Sequence, residues 1–311
     1  MIYLVTGGSG FIGSHIVEYL LSKGHWVRVI DNLSSGNKKN LKKVSNSNHL
    51  EIIEGDIRNI EIVKKLVRGV DGIFHQAALV SVPLSIKQPQ ACFQNNAQGS
   101  FNIFEAARQE NVKRIVYASS AAIYGKNTRL PLKETEPYAP LSPYALDKVY
   151  MEQLAKLYWH TYDVASVGLR YFNVYGERQN PDSPYSGVIS IFVERLVKNK
   201  NIVIYGDGEQ TRDFINIEDV VSANILSMNA CDNGAEVFNV GTGQGASLNK
   251  IVTMLQQILG TNSIHQYSLP REGDIQHSVA DNTKLKSTLN WKPETSLEYG
   301  LRSLLRSIQI N

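Results

Sequence analysis

The sequence predicts an α/β fold: a doubly wound parallel sheet, followed by a smaller α/β lobe. Short, almost continuously apolar runs recur at Ile2 to Thr6, Val27 to Asp31, Gly72 to Gln76, Arg114 to Ser119 and Ala165 to Arg170. Runs of this kind are strands covered by helices on both faces. Helix-length segments separate most of them, and that alternation makes a parallel sheet with right-handed crossovers. After Asn173 the rhythm breaks: the loop from Gly176 to Gly187 carries two prolines, and short elements alternate with glycine turns at Gly206, Gly208, Gly241, Gly243 and Gly245. With 311 residues the chain can bury a sizeable core. The apolar stretches around Phe214 to Ile217 and Val237 to Val240 are expected to return to the sheet. The sheet domain is therefore placed at residues 1–173 with about 214–242, and the lobe at about 174–213 and 243–311.

The first strand runs into Thr6-Gly7-Gly8-Ser9-Gly10-Phe11-Ile12-Gly13, and a helical pattern follows from Ser14 to Ser22. A glycine-rich loop between a strand and a helix is the setting that a dinucleotide-binding fingerprint requires. Gly7 permits the tight turn, Gly10 lets the backbone approach a pyrophosphate, and Gly13 lets helix and strand pack closely. The helix N-terminus adds amide donors and a positive dipole. Asp31 ends the second strand, where a carboxylate accepts from both ribose hydroxyls and repels a 2′-phosphate, so NAD is expected over NADP. After the run Leu50 to Glu54, Asp56 is placed to accept from the adenine amine and Ile57 to pack on the ring. The sheet is thus of the Rossmann type.

Composition narrows the function. Net charge is only +3, and the basic run Lys38-Lys39-Asn40-Leu41-Lys42-Lys43 has no interleaved aromatics. It reads as a solvated face, and no nucleic-acid role follows. Hydrophobic content of 42% is ordinary, and no apolar run approaches the roughly 18 residues of a membrane span. Met1-Ile2-Tyr3-Leu4-Val5 lacks a basic segment and reads as a buried strand, not a signal peptide, which suggests a cytoplasmic protein. Cys92 and Cys231 lack metal-ligand spacing and read as buried thiols; no metal site is expected.

Tyr144 and Lys148 lie one helical turn apart in Ser-Pro-Tyr-Ala-Leu-Asp-Lys. Residues at i and i+4 share a helix face, so the lysine charge can sit near a phenol that must lose its proton. Moving a phenol from a pKa near 10 to neutrality takes about 4 kcal/mol. Desolvation works the other way, so cations have to outweigh burial. Tyr19 and Lys23 repeat the spacing, but they lie on the helix after the glycine loop, where periodicity alone accounts for them. Tyr144 instead follows a strand ending in Tyr117-Ala118-Ser119-Ser120, and strand carboxyl ends are where such sheets bind ligands. The Ser120 hydroxyl can relay the proton or fix the reacting oxygen.

Taken together, the chain resembles the extended short-chain dehydrogenase/reductase superfamily and, within it, the nucleotide-sugar 4-epimerases that act on UDP-glucose or UDP-N-acetylglucosamine. The resemblance spans nearly all of the chain. Beyond the glycine loop and the Tyr144–Lys148 pair, it is carried by His75-Gln76-Ala77-Ala78, Ser119-Ser120-Ala121-Ala122-Ile123-Tyr124-Gly125 and Arg170-Tyr171-Phe172-Asn173-Val174-Tyr175-Gly176. Gly206-Asp207-Gly208 with Arg212-Asp213, and Arg271-Glu272-Gly273-Asp274, complete it. It implies a catalytic set of Ser120, Tyr144 and Lys148, with Lys148 also gripping the nicotinamide ribose. Phe11, Ile12, Asn32, Gln76, Ala77, Ala78, Asn96 and Tyr171 would join Gly7, Gly10, Gly13, Asp31, Asp56 and Ile57 around NAD. Asn173, Val188, Arg212, Arg271 and Asp274 would contact the UDP part, the arginines suiting a diphosphate, and Ser81 would reach toward the sugar.

The resemblance also frames the reaction. Related dehydratases carry acidic residues beside the catalytic serine or threonine, whereas this chain has Ala121 and Ala122. Alanine cannot protonate a leaving group, so elimination is disfavoured. In an epimerase, Tyr144 takes the 4-hydroxyl proton while NAD⁺ takes the C4 hydride, and the 4-keto sugar turns over before hydride returns. Many glucose-specific bacterial members carry a bulky tyrosine four residues after the position of Asp274, where this chain has Ser278. A small residue there goes with N-acetylated sugars, so interconversion of UDP-N-acetylglucosamine and UDP-N-acetylgalactosamine is expected, alongside the unacetylated pair. Two alternatives stand beside this: 4-epimerisation or decarboxylation of UDP-glucuronate, and a non-catalytic NAD-sensing module. Relatives pair through helices corresponding to Asn96 to Glu110 and Tyr144 to Tyr158, which implies a homodimer.

Overall fold

The computed structural model describes residues 1–180, 187–198, 200–261, 265–270 and 275–310. The chain divides into two compact units, Met1–Ile123, Tyr138–Arg170 and Val221–Phe238 in the first, and Tyr124–Pro137, Tyr171–Val220 and Asn239–Asn311 in the second. The strands are β1 (Ile2–Thr6), β2 (Trp26–Asp31), β3 (Leu50–Glu54), β4 (Gly72–His75), β5 (Arg114–Ser120), β6 (Ala165–Tyr171), β7 (Asn173–Tyr175), β8 (Ile202–Tyr205), β9 (Thr211–Asn216), β10 (Ala235–Val240), β11 (Gly245–Ser247), β12 (His265–Ser268) and β13 (His277–Ser278). The α-helices are α1 (Phe11–Ser22), α2 (Ile60–Val67), α3 (Val82–Lys87), α4 (Pro89–Phe93), α5 (Gly99–Gln109), α6 (Pro143–Tyr162), α7 (Val188–Val197), α8 (Ile217–Asn229), α9 (Leu248–Leu259), α10 (Thr283–Leu289) and α11 (Leu297–Ile310).

The main sheet has seven strands in the order β10-β6-β5-β4-β1-β2-β3. β1 pairs in parallel with both β2 and β4, and the chain order reverses between β1 and β4. At such a switch point the loops leaving the two strands part and open a crevice for a ligand. Strand residues such as Leu4, Ile73 and Ile115 pack with Phe104, Ala107 and Ala155 in one core, and their neighbours Val5, Phe74 and Val116, which point to the other face, are fully buried too, so the apolar runs are continuous because both faces are covered. α6 starts where Ser142 Oγ accepts from Ala145 N at 3.2 Å and Pro143 occupies the first turn. It ends at Asp163, in the left-handed region at φ 55°.

The second unit has its own core, with Phe192, Ile204, Ile251 and Leu301 among its buried residues. Here the structure corrects one expectation. Val237 to Val240 does lie in β10 of the main sheet, but Phe214 to Asn216 lies in β9, which pairs with β11, β13 and β7 instead. A short apolar run shows that a strand forms, but not which sheet receives it. Among the described residues no helix is long and apolar enough to cross a membrane.

Candidate active site

The glycine loop leaves β1 at the switch point. Gly7 has φ +65°, and a β-carbon there would lie 2.8 Å from Ala77 N, because the segment after β4 passes close by. A β-carbon on Gly13 would overlap the Gly7 carbonyl, whereas one on Gly10 would meet only that carbonyl, at 3.1 Å. Gly10 begins α1 without a side-chain cap. The loop thus presents bare backbone and helix N-terminal amides, the surface a pyrophosphate needs. Phe11 and Ile12 form the first turn of α1 and are half-buried.

At the end of β2, Asp31 is buried. Its Oδ2 accepts from Ser9 N and its Oδ1 from Leu33 N, both at 2.9 Å. Burial raises its pKa and these two amides lower it; each oxygen keeps lone pairs for a ribose hydroxyl. Gly36 makes room, since a β-carbon there would sit 2.8 Å from Asp31 Oδ1. Asp56 takes Arg58 Nε on Oδ1 at 2.9 Å, and Arg58 Nη2 and Asn32 Nδ2 on Oδ2 at 2.8 and 2.9 Å. The Arg58 hydrogen bonds hold its carboxyl down to about 2. Asp56 therefore anchors Asn32 and Arg58, and Ile57 beside it is buried. These residues fit NAD.

Beyond β4, Gln76 Nε2 donates to Asn224 Oδ1 at 3.1 Å and Ala77 N to Thr6 Oγ1 at 3.1 Å. Ala77 and Ala78 are half-buried. Asn96 lies in a π-helical turn over Gln94–Gln98 between α4 and α5. Its Oδ1 accepts from Leu79 N at 2.7 Å and its Nδ2 donates to Leu79 O at 3.1 Å, which pins the segment after β4. Ser81 caps α3 by accepting from Leu84 N at 3.0 Å.

Tyr144, Lys148 and Glu152 form one stripe of α6, with exposures of 8%, 3% and 0%. Lys148 Nζ donates to Ala118 O at 2.6 Å and lies 5.6 Å from the centroid of the Tyr144 ring. In the other Tyr-x-x-x-Lys pair, Lys23 Nζ is 5.4 Å from the Tyr19 ring, yet both residues are exposed. Burial, not spacing, separates the two copies. It raises the Tyr144 pKa while a hydrogen bond with Ser120 lowers it, and it pushes the Lys148 ammonium down to about 8 against the pull of Asp147. Ser120 Oγ also accepts from Ala122 N at 3.2 Å.

Behind this stripe is a group that the sequence did not reveal. Glu152 and Arg170 form a buried ion pair, Nη2 to Oε2 at 2.7 Å and Nε to Oε1 at 2.9 Å. Ser119 Oγ donates to Oε1 at 2.5 Å and Tyr138 OH to Oε2 at 2.8 Å. The pair therefore fixes the strand end that carries Ser120. The i+4 step from Lys148 to Glu152 was the available signal.

In the second unit, β9 collects three of the expected substrate residues. Arg212 on β9 is the register partner of Ser278 on β13. Farther along, Asn173 on β7 pairs with Phe214. Arg212 Nη1 donates to Thr211 O at 3.0 Å, while Asp213, pointing the other way, binds Thr242 N, Gly243 N and Ala280 N at 2.7, 2.9 and 3.1 Å. Ser278 is buried, Val188 is the first residue of α7, and Tyr171 is buried at the end of β6. Arg271 and Asp274 lie outside the described residues. Among the described residues no group of three or more His, Cys, Asp or Glu could hold a metal.

The family model for the NAD-dependent epimerase/dehydratase family matches residues 3–241. The UDP-glucose 4-epimerase of Mycolicibacterium smegmatis is 37% identical over 300 residues, covering 96% of this chain and 95% of that one. Among solved structures, the UDP-N-acetylglucosamine 4-epimerase from Methanobrevibacter ruminantium in complex with UDP-N-acetylmuramic acid is 40% identical, with a TM-score of 0.95 and coverage of 99% of this chain and 98% of that one. The UDP-glucose 4-epimerase of Thermotoga maritima, with UDP-glucose, is 38% identical, with a TM-score of 0.94 and coverage of 100% and 99%.

Proposed function

Because the chain belongs to the NAD-dependent epimerase/dehydratase family and is an NAD-dependent UDP-sugar 4-epimerase, we propose that the pair it interconverts is UDP-N-acetylglucosamine and UDP-N-acetylgalactosamine, together with the unacetylated sugars. The observation that carries this is Ser278: a small side chain as the register partner of Arg212, the residue we assign to the diphosphate. A serine there leaves room that a tyrosine would fill.

Tyr144 is the base in this reading. It takes the proton of the sugar 4-hydroxyl and returns it after the ring has presented its other face. Lys148 keeps a positive charge beside the phenol, and Ser120 fixes the reacting oxygen by hydrogen bonding. NAD, when bound, accepts and returns the C4 hydride. Gly7, Gly10 and Gly13, Asp31 and the segment Gln76 to Ala78 hold the cofactor, with Asn96 setting that segment. Asn173, Val188 and Arg212, with Arg271 and Asp274, hold the UDP part throughout, so the keto sugar turns without leaving. Ala121 and Ala122 carry no acid, which supports epimerisation over elimination.

Two further features complete the proposal. Both cysteines are free and buried, which suits a reducing cytoplasm. The outer faces of α5 and α6 expose Phe101, Tyr150, Leu157 and Tyr162, which suits pairing with a second copy of the chain.

The test incubates the pure protein with UDP-N-acetylglucosamine, UDP-glucose and UDP-glucuronate and identifies each product. Ser278→Tyr is expected to depress turnover of the N-acetylated substrate at least tenfold more than that of UDP-glucose, about the discrimination one bulky contact provides. Equal losses on both would defeat the sugar assignment, and a uronate product alone would replace it.

A further inference from the structure

The basic run Lys38 to Lys43 has no part in the site described so far. It forms a 3₁₀ helix, Lys38–Val44, opened by Asn37, whose side chain accepts from Lys39 N. Its lysines are exposed, as on a solvated face, but the two residues between them turn inward: Leu41 is buried and Asn40 half-buried. Asn40 Nδ2 donates to Ser9 O at 2.9 Å, and Asn37 N donates to the same carbonyl, also at 2.9 Å. Ser9 lies between Gly8 and Gly10, in the middle of the glycine loop.

The chain between β2 and this helix is tied down around Asp31. Leu33 takes the left-handed backbone, φ 57°, and gives its amide to Asp31 Oδ1. That conformation is costly for a leucine and persists only where the surroundings impose it. Asn32 Nδ2 donates to Asp56 Oδ2 at 2.9 Å, and Lys38 Nζ lies 2.8 Å from Glu54 Oε2. Ser9 depends on this support. Its fully buried Oγ has no hydrogen-bond partner among the described residues, so its polar anchors are on the backbone: the amide on Asp31 Oδ2, and the carbonyl under Asn37 and Asn40. A glycine-rich backbone has the most freedom to lose, and freedom already removed in the free protein is not lost again when a ligand binds.

We propose that Asn40 is a positioning residue for the adenosine half of NAD: by holding the Ser9 carbonyl it keeps the glycine loop in the shape that meets the diphosphate, and keeps the Ser9 amide on the carboxylate that receives the ribose. The inference rests on the reading of the glycine loop and Asp31 as the adenosine diphosphate site. Its consequence is confined to cofactor binding. Ser120, Tyr144 and Lys148 lie on β5 and α6, so the chemical step keeps its own machinery when Asn40 is changed.

The test uses Asn40→Leu, which keeps the shape and neutrality of the side chain and removes its donor, while Asn37 N still serves the Ser9 carbonyl. Calorimetric titration of the full chain with NAD, ADP-ribose and UDP reads the affinities. The dissociation constants of NAD and ADP-ribose should rise together, about tenfold, while UDP affinity and kcat at saturating NAD stay at their native values. If Asn40→Leu does not fold, Asn40→Ala carries the same expectation. Affinities for NAD and ADP-ribose within about twofold of native overturn the proposal. So does an equal loss of UDP affinity or of kcat, which marks general damage, and so does the collapse of both variants. Asp31→Ala tests the underlying reading separately: unchanged ADP-ribose affinity there sinks the assignment of the site, and the Asn40 variants still judge Asn40.

Discussion

At the scale of single residues, the protein by itself holds the Tyr144 phenol in its protonated form, because burial is the largest influence on it and works upward. In the proposed reaction, positive charge from Lys148 and from the oxidised cofactor has to reverse that. Tyr144→Phe keeps the ring and removes the acid, so kcat should fall about a thousandfold while NAD still binds, as measured by turnover and by calorimetric titration. A loss smaller than about tenfold would remove Tyr144 as the base. That Ser120 ends β5 and that Tyr144 and Lys148 share a face of α6 was legible in the sequence, because a strand end and helix spacing are local features. Glu152 and Arg170 were not, since nothing local says which buried arginine meets which glutamate across 18 residues of chain. Glu152→Gln keeps the shape and leaves Arg170 charged at 1% exposure. It should destabilise the fold by about 3–5 kcal/mol, read as a lower urea midpoint, and a midpoint unchanged from the native protein would show the pair to be dispensable.

At the scale of elements, the π-helical turn between α4 and α5 shows where periodic reading stops. Such a turn inserts one residue, so a 3.6-residue pattern carried through it slips, and it aims a side chain that a regular helix would send elsewhere. Here that side chain is Asn96, whose two bonds to Leu79 hold the segment after β4. Asn96→Ala would leave the Leu79 amide and carbonyl without those partners, and unmet backbone groups of this kind destabilise by about 1–3 kcal/mol. The expected outcome is a lower melting temperature together with an NAD dissociation constant raised about tenfold, the equivalent of about 1.4 kcal/mol. Affinity unchanged in a folded variant would limit Asn96 to packing. Five strands of the main sheet, β1, β2, β4, β5 and β6, were legible for the opposite reason, as nearly continuous apolar runs, whereas β3, Leu-Glu-Ile-Ile-Glu, carries no such run. β9 misled because its apolar end, Phe214 to Ile217, shows only that a strand forms, while its partners β11, β13 and β7 are short pieces far apart in sequence.

At the scale of the whole molecule, the outward faces of α5 and α6 are apolar in a way the rest of the chain does not explain. Phe101, Tyr150, Leu157 and Tyr162 are 41%, 39%, 56% and 41% exposed, and with Glu105 and Arg108 they line a cavity of about 490 Å³. A helix pair that leaves aromatic and leucine side chains in water gains by burying them against another surface. The pair Glu105 and Arg108 neutralises itself within that patch, and this favours a partner with the same balanced face, as in a two-fold dimer where one patch meets its own copy. Burying about 800 Å² per protomer is enough for a stable association of that kind. Light scattering after size exclusion should therefore give twice the chain mass at micromolar concentration, and Leu157→Glu with Tyr150→Glu, which put like charges opposite each other across the two-fold, should give the single chain. Those variants keep Tyr144 and Lys148 on the opposite, buried side of α6, so NAD binding should survive. A native protein that runs as a monomer at every concentration would overturn the pairing.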